Sequence, residues 1–443
     1  MGLRFYEKYL LLFGVFVASC FLLSGTFVYF RSNNGNQIRT AEAENRNDNP
    51  KLRIVHDSIK RLEVKTGFSS QNLSAKDIEH RRNFTREMMK FAWSNYARFA
   101  WGENELRPIT KIGHSGSVFG RAPLGATIVD ALDTLIIMGL NEEFELARDW
   151  VAKKFNMKES QSDLSVFETN IRFVGGLLSA FALTKEKIFL DKAREVADLL
   201  LPAFEASPFG IPMALVNLKT GRTGNYGWAS GGCSILSELG SLELEFNYLS
   251  RLTGNQTITS ILRRENGVKN TFLSERLAIL FMKICSKFGL FYCWNLAEQI
   301  GNTCHEAYRK TVTGIGPESF HFSPDAEAQA TRISESYYIL RPEAIEGWFY
   351  LWRVTGNEKY REWCWEAAQA IERHCRVEAG YSGIRNVNTE RVEHDDVQQS
   401  FFLAETLKYL FLAFSDSTEM PLDQWVFNTE AHPFPIVHAT QQI

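Results

Sequence analysis

The stretch ILRPEAIEGWFYLWRVTG, residues 339–356, constrains what this chain can fold into more than any other. Pro342 supplies a fixed φ at an expected first helical position, and Thr355, Gly356 and Asn357 form a stop signal. Between them Ile345, Trp348, Phe349, Leu351 and Trp352 leave almost no polar face, so the helix is expected to be buried on most sides. Yet Glu343 and Glu346 sit inside it, three apart and on one face. A buried carboxylate is costly unless it is paired, hydrogen-bonded or working on something. The pattern recurs in three other apolar segments: Asp130 and Asp133 in 126–140, Glu168 with Arg172 four residues on in 165–183, and Glu405 in 400–414. A helix dipole or a local ion pair accounts for one such case at a time. Four together point to a closed all-helical body with carboxylates lining a central cavity.

An irregular repeat supports that reading. From Ile78 onward, an apolar helix ends at a short turn and an amphipathic helix follows, at 138–151, 182–197, 251–262 and 353–368. The turn Thr-Gly-Asn occurs at both 253–255 and 355–357. Helical hairpins that cannot bury their faces singly stack or close on themselves. A superhelical scaffold is the plain alternative, and the inward acids favour a closed barrel. The connecting loops 113–120, 225–232 and 376–388 are rich in Gly and aromatic residues, which suits a carbohydrate's apolar faces and hydroxyls. No phosphate-cradling loop, HExxH or nucleophile elbow is present.

With 45% hydrophobic and 23% charged residues, the 443-residue chain can bury a large core. Its net charge of −3, with no long basic run, argues against nucleic acid as a partner. Residues 9–30 are uncharged and long enough to span a bilayer; Arg4 and Lys8 precede them, so residues 1–8 are expected in the cytosol and the body in the lumen. A cleaved signal peptide is the alternative. Residues 31–76 read as a polar stem, 77–436 as the folded body and 437–443 as a tail. Asn72, Asn83 and Asn255 head glycosylation sequons. Cys20 falls in the span, which leaves six luminal cysteines, and counting does not fix their pairing.

Several of these segments closely resemble the class I α-1,2-mannosidases of the secretory pathway, glycoside hydrolase family 47, and look more like its Golgi members than its endoplasmic-reticulum ones. The segments are GRAPLGATIVDALDTLIIMGL (120–140), SVFETNIRFVGGLLSA (165–180), YYILRPEAIEGWFYLWRVTG (337–356), CRVEAGYSGIRNV (375–387), DDVQQSFFLAETLKYLFLAFSD (395–416) and VFNTEAHPFPI (426–436). The resemblance implies an all-α (α/α)7 barrel of helical hairpins. It also implies inverting, Ca²⁺-dependent removal of α-1,2-linked mannose from high-mannose N-glycans by a type II Golgi membrane protein. Carried over by motif, Glu168 would be the general acid and Glu343 the general base that activates water, the two carboxyls of an inverting glycosidase. Thr429 would bind the metal through its hydroxyl and carbonyl. Glu346, Glu405 and Glu430 would hold the ion's waters and sugar hydroxyls, as suits a hard cation. Arg172, Arg341 and Phe401 would line the subsite for the terminal mannose.

The segment 264–293 departs from the family, whose members carry about a hundred more residues here, some two hairpins' worth. The span lost holds a further catalytic Asp, a barrel-lining His and the usual disulfide partner of the position of Cys304. Residues 277–292, interrupted by Lys283 and Lys287, read as a buried core helix rather than a second membrane span. Two readings therefore stand side by side. One is a Golgi glycosidase; the other is a shortened member that holds glycan or calcium with turnover impaired. The barrel is expected to be incomplete, and the chain as written poorly secreted, partly aggregated and inactive on α-1,2-mannobiosyl substrates.

Overall fold

The computed structural model describes residues 73–115, 117–206, 211–255, 290–323, 326–330 and 332–436. The expected membrane span, nearly all of the stem, most of 264–293 and the tail 437–443 lie outside the described residues.

Helical hairpins dominate. Helix α1 (Ala75–Phe99) starts at Ser74, whose hydroxyl accepts from the backbone N–H of Asp77 at 3.1 Å, a standard N-cap. Then follow α2 (Ala126–Ile137), α3 (Asn141–Lys153), α4 (Val166–Thr184), α5 (Lys187–Glu205) and α6 (Glu243–Thr253). After the undescribed stretch come α7 (Leu290–Arg309), α8 (Glu343–Thr355), α9 (Lys359–His374) and α10 (402–413). Helix α7 begins inside the segment read as divergent, its first residues helical.

Helices α2, α4, α6, α8 and α10 form the inner set. Helix α2 packs on α4 and on the first turns of α10, and α8 packs on α10, so the first and last inner helices touch and close the ring on that side. Helices α3, α5 and α9 back onto their inner partners from outside. Their composition explains the arrangement: α2 is buried at ten consecutive residues from Ala126 to Leu135, whereas α3 buries only Phe144, Ala147 and Val151, one stripe of an amphipathic helix. Helix α4 is long and apolar enough to cross a membrane, yet it is mostly buried and carries Glu168 and Arg172. It is a core helix.

The repeated turn is physical as well as textual. Gly254 and Gly356 both take φ near +68° (67° and 68°) at the ends of α6 and α8. In each case the preceding threonine hydroxyl bonds back to the carbonyl four residues earlier and accepts from the backbone N–H two residues on. Lys185 occupies the same left-handed position after α4, beside Thr184, which makes the same pair of bonds. A left-handed residue satisfies the last carbonyls of a helix and turns the chain for the next one.

Two local expectations need correction. Pro342 precedes the first helical residue, Glu343, rather than occupying it. The body is also less uniformly helical than its periodicity suggests: five small antiparallel sheets sit in the loops among the described residues. Helices α4 and α10 each contain a π-helical segment, Thr169–Val174 and Phe402–Thr406. No apolar spacing signals these, and such turns cluster at functional sites. Cys233, Cys304, Cys364 and Cys375 are all unpaired. Asn83 is exposed within α1, and Asn255 lies just past α6.

The hairpin formed by Trp425–Phe427 and Pro433–Pro435 enters the ring. Its turn residues Asn428, Glu430, Ala431 and His432 are buried, and it packs on α4. Glycines make the room. A Cβ on Gly175 would stand 2.6 Å from Asn428 Nδ2, and one on Gly176 would stand 2.8 Å from the carbonyl oxygen of Val129 in α2. Gly176→Ala is therefore expected to lower stability by about 1–3 kcal/mol through overpacking. Gly347→Ala in α8, where the added carbon meets nothing, should raise it by about 0.5–1 kcal/mol. Urea unfolding of the two variants checks both, and an equal response would refute the close approach.

Candidate active site

The site grows from the N-terminal ends of the inner helices. There α2, α4 and α8 present Asp130, Glu168, Glu343 and Glu346, and α10 presents Glu405. Acids at that end complement the helix dipoles. Arginines serve the opposite end: Arg361 donates to the carbonyls of Ala413 and Ser415 at 2.7 and 2.8 Å, and Arg353 to that of Leu412 at 3.3 Å, capping α10.

Arg172 is the hub. Its Nε donates to Glu168 Oε2 at 2.8 Å, and its Nη1 reaches Asp130 Oδ2 at 3.3 Å, Ser400 Oγ at 3.2 Å and the carboxylate of Glu430. Although burial works against its charge, Glu430, Glu168 and Asp130 outweigh it and hold the guanidinium firmly protonated. Its carbon lies 5.8 Å from the centre of the Phe401 ring, and that of Arg341 lies 5.9 Å from the same ring. The structure brings Arg172, Arg341 and Phe401 together. Arg341 is also clamped by Glu318 through bonds of 2.7 and 2.9 Å.

One guanidinium does not neutralise the acids around it. Burial pushes the carboxyl of Glu405 well above its ordinary range, with Glu346 and Glu343 adding to the effect and Arg172 opposing it. Burial likewise raises Glu430 strongly, against Arg172 and with Glu405, Asp130 and Glu168. Glu346, to which the Tyr409 hydroxyl donates at 3.0 Å, is raised by burial and by Glu343. The site holds more carboxylate than its own cations balance.

Two expected residues stand differently from their motifs. Glu343 is not buried: its side chain keeps 63% of its exposure, since it is the first residue of α8 and the buried face begins at Ile345. Its nearest cation is Arg341, at 3.7 Å. Thr429 is exposed, although Asn428 and Glu430 on either side are buried inside the ring, so it faces solvent at the hairpin's tip. Among the described residues no three His, Cys, Asp or Glu side chains converge as metal ligands.

Several site residues were not singled out from the sequence. Glu105 is buried beside Ser400, whose backbone N–H donates to it at 3.3 Å. Glu238 is hydrogen-bonded to Tyr226, lies within the field of Glu168 and is raised by burial. Tyr226 stacks on the exposed Trp228 at 5.1 Å, an aromatic platform in the loop 225–232, as the loop's composition leads one to expect. Glu245 accepts from Asn428 and Asn170 at 2.7 and 2.9 Å. Glu105 and Glu238 lie in segments too short to carry a helical period, whereas Glu245 stands among the apolar residues of α6 as the acids of the other inner helices do.

A pH dependence follows. Burial lifts both Glu105 and Glu245 to about 7 from a model-peptide value of 4.5. Between those values the folded protein binds more protons than the unfolded chain, so stability falls as pH rises through that window and levels off above it. Each group contributes at most about 1.4 kcal/mol per pH unit. Asp133 acts at the acid end. Burial opposes its ionisation, but Lys408 and His432 hold it down to about 2, so its contribution is lost only as pH falls from 3.8 towards 2. Urea midpoints should be higher at pH 5 than at pH 7.5, with a smaller difference in Glu105→Gln. Stability that climbs over this range would overturn the assignment.

A ring of helical hairpins, its axis entered by a β-hairpin and lined by carboxylates around one arginine, makes an all-helical barrel with an acidic centre. The chain belongs to glycosyl hydrolase family 47, whose sequence pattern matches residues 88–270 and 270–436. It is 45% identical to mannosyl-oligosaccharide alpha-1,2-mannosidase IA of Drosophila melanogaster, over 81% of this chain and 68% of that one. It is 42% identical to mannosyl-oligosaccharide 1,2-alpha-mannosidase IB of Homo sapiens, over 82% and 71%. The fold matches that of an alpha-1,2-mannosidase from Trichoderma reesei with a TM-score of 0.67 and 24% identity, over 81% of this chain and 99% of the other. The alignment to the Drosophila protein runs over 452 residues, more than this 443-residue chain possesses, yet takes in only 81% of it. That relative therefore carries a long stretch which this chain lacks. The two matched segments meet at residue 270, inside the segment 264–293.

Proposed function

We propose that this protein hydrolyses α-1,2-linked mannose from high-mannose N-glycans, with inversion, in the lumen of the Golgi. The observation that supports it best is Arg172, which gathers Glu168, Asp130 and Glu430 onto one guanidinium beside Phe401 at the mouth of the ring. Glu168, partly exposed and held by Arg172, would donate a proton to the departing glycosidic oxygen. Glu343, exposed in the first turn of α8, is free to take a proton from an attacking water. Arg172, Arg341 and Phe401 form a wall of two cations and a ring against which a mannose hydroxyl face and its C–H face can rest.

The residues fit a calcium ion. A hard cation takes six to eight oxygen ligands, waters among them. Thr429 offers a hydroxyl and a carbonyl from an exposed tip, and the oxygens of Glu346, Glu405 and Glu430 would accept from the ion's waters. Bound there, the ion would orient sugar hydroxyls and waters. Chelation is expected to lower the melting temperature by mass action. Thr429→Ala should be indifferent to chelator; an equal response in both proteins would place the ion elsewhere.

The direct test is mannose release from a high-mannose glycan, with the anomer read by NMR in the first minutes. Release of β-mannose supports the reading, and release of α-mannose would refute inversion. A second reading, glycan binding with turnover impaired, is favoured by the long stretch that the Drosophila relative carries and this chain does not. Glycan binding by calorimetry without release would establish it.

A further inference from the structure

Behind Arg172 lies a row of buried charges with no role in the chemistry so far. His432, fully buried on the axial hairpin, has Nδ1 2.7 Å from Asp133 Oδ2. The other oxygen of Asp133 is 2.9 Å from Lys408 Nζ, which also donates to the Ala431 carbonyl at 2.7 Å. On its far side, His432 Nε2 faces Asp130 Oδ1 at 3.7 Å, and both atoms are buried without a hydrogen-bond partner. The other oxygen of Asp130 reaches Arg172, which holds Glu168. The groups form one line: Lys408, Asp133, His432, Asp130, Arg172, Glu168.

We propose that His432 is a positioning residue: seated between Asp133 and Asp130, it keeps Asp130 occupied from behind and so leaves Arg172 seated on Glu168. The inference rests on the reading of Glu168 as the general acid. A neutral imidazole donating to Asp133 would turn a lone pair towards a carboxylate lone pair at 3.7 Å, too near for an interposed water. An imidazolium instead points an N–H at Asp130, and a small ring rotation closes the bond. Burial opposes that charge, but Asp133 and Asp130 outweigh it and raise the imidazole's pKa. The other ionisable groups near His432 are Lys408, which opposes the charge, and Glu245, joined to the hairpin through Asn428.

Without that charge, Asp130 has Arg172 as its sole cation. Asp130 is fully buried and cannot turn to water, whereas the Glu168 side chain is 21% exposed and can. Arg172 should then move towards Asp130 and release Glu168. The same logic gives a rescue: once Asp130 loses its charge, His432 is no longer required.

The experiment uses the full chain with labelled histidine and arginine. Wild type should show both His432 ring nitrogens as imidazolium at pH 6.5, where an unperturbed histidine is half neutral. The Arg172 Nε–H resonance, assigned by its shift in Glu168→Gln, should shift likewise in His432→Gln. It should return in the double variant Asp130→Asn/His432→Gln. Mannose release should follow the same order, kcat falling while KM holds. A neutral His432 that titrates near 6.5, an unmoved Arg172 signal in His432→Gln, or no return in the double variant would overturn the proposal. If the resonances behave as expected while wild type releases no mannose, the functional reading fails and the positioning of Arg172 stands.

Discussion

Arg172→Met is expected to destabilise the protein by about 3–5 kcal/mol, the usual consequence of removing one partner from a buried ion network. The side chain is 10% exposed and serves Glu168, Asp130, Ser400 and Glu430 at once, while its carbon rests 5.5 Å from the Phe119 ring. Methionine fills much of the volume, so packing loss is small, and the loss falls on Asp130 and Glu430, 0% and 2% exposed: Glu430 loses its cation and Asp130 keeps only His432. Stability of an ordinary domain is itself only about 5–15 kcal/mol, so the variant should unfold at low urea or accumulate poorly. A urea midpoint within error of wild type would mean that the network is solvated and Arg172 is no hub.

Glu343→Gln should do the opposite, abolishing chemistry and sparing the fold. The side chain is 63% exposed, and its ion pair with Arg341 at 3.7 Å is of the kind that contributes about 0–1 kcal/mol. Glutamine keeps the size and hydrogen bonding but cannot accept the proton of an attacking water, a role worth about 10²–10⁴-fold in rate. Mannose release should fall by that factor, measured in a version of the chain carrying the stretch found in its Drosophila relative, with the melting temperature unchanged. Full turnover in Glu343→Gln would put the base elsewhere. The parent chain without that stretch should release mannose more slowly than this version, and comparable release by both would show the stretch dispensable.

The inner helices were legible because burial leaves a direct mark on composition: a helix apolar on all sides can only be core, and an acid within it demands a partner. Thus Asp130, Asp133, Glu168 and Glu405 could be marked from residues alone, and the pair Glu168–Arg172 appears at its expected i, i+4 spacing. What pairs with them across the ring was not legible, since His432, Lys408 and Glu105 reach their partners over 299, 275 and 295 residues of chain, which no local period encodes. Glu343 shows the converse limit. Its helix is apolar from Ile345 onward, but which way a first turn faces depends on the ring and not on the helix. The π turns at Thr169–Val174 and Phe402–Thr406 shift the helical phase by one residue and leave no compositional trace. The roles of Thr429 and Glu430 were accessible only through the resemblance of FNTEAHP to its family.

The axial hairpin also sets a timetable. Every described helix of the ring precedes residues 425–435 in the chain, so each leaves the ribosome before the segment that fills the axis. Until then Asp133 lacks His432, Lys408 lacks the Ala431 carbonyl, and Asn170 and Glu245 lack Asn428 as the third member of their bonded group. A helical ring assembled at that stage must keep its centre hydrated, because those groups cannot be dried without their partners. The charge pairs at the centre of the ring are complete only with the hairpin in place, so a chain interrupted before residue 425 lacks the partners of Asp133, Lys408 and Glu245.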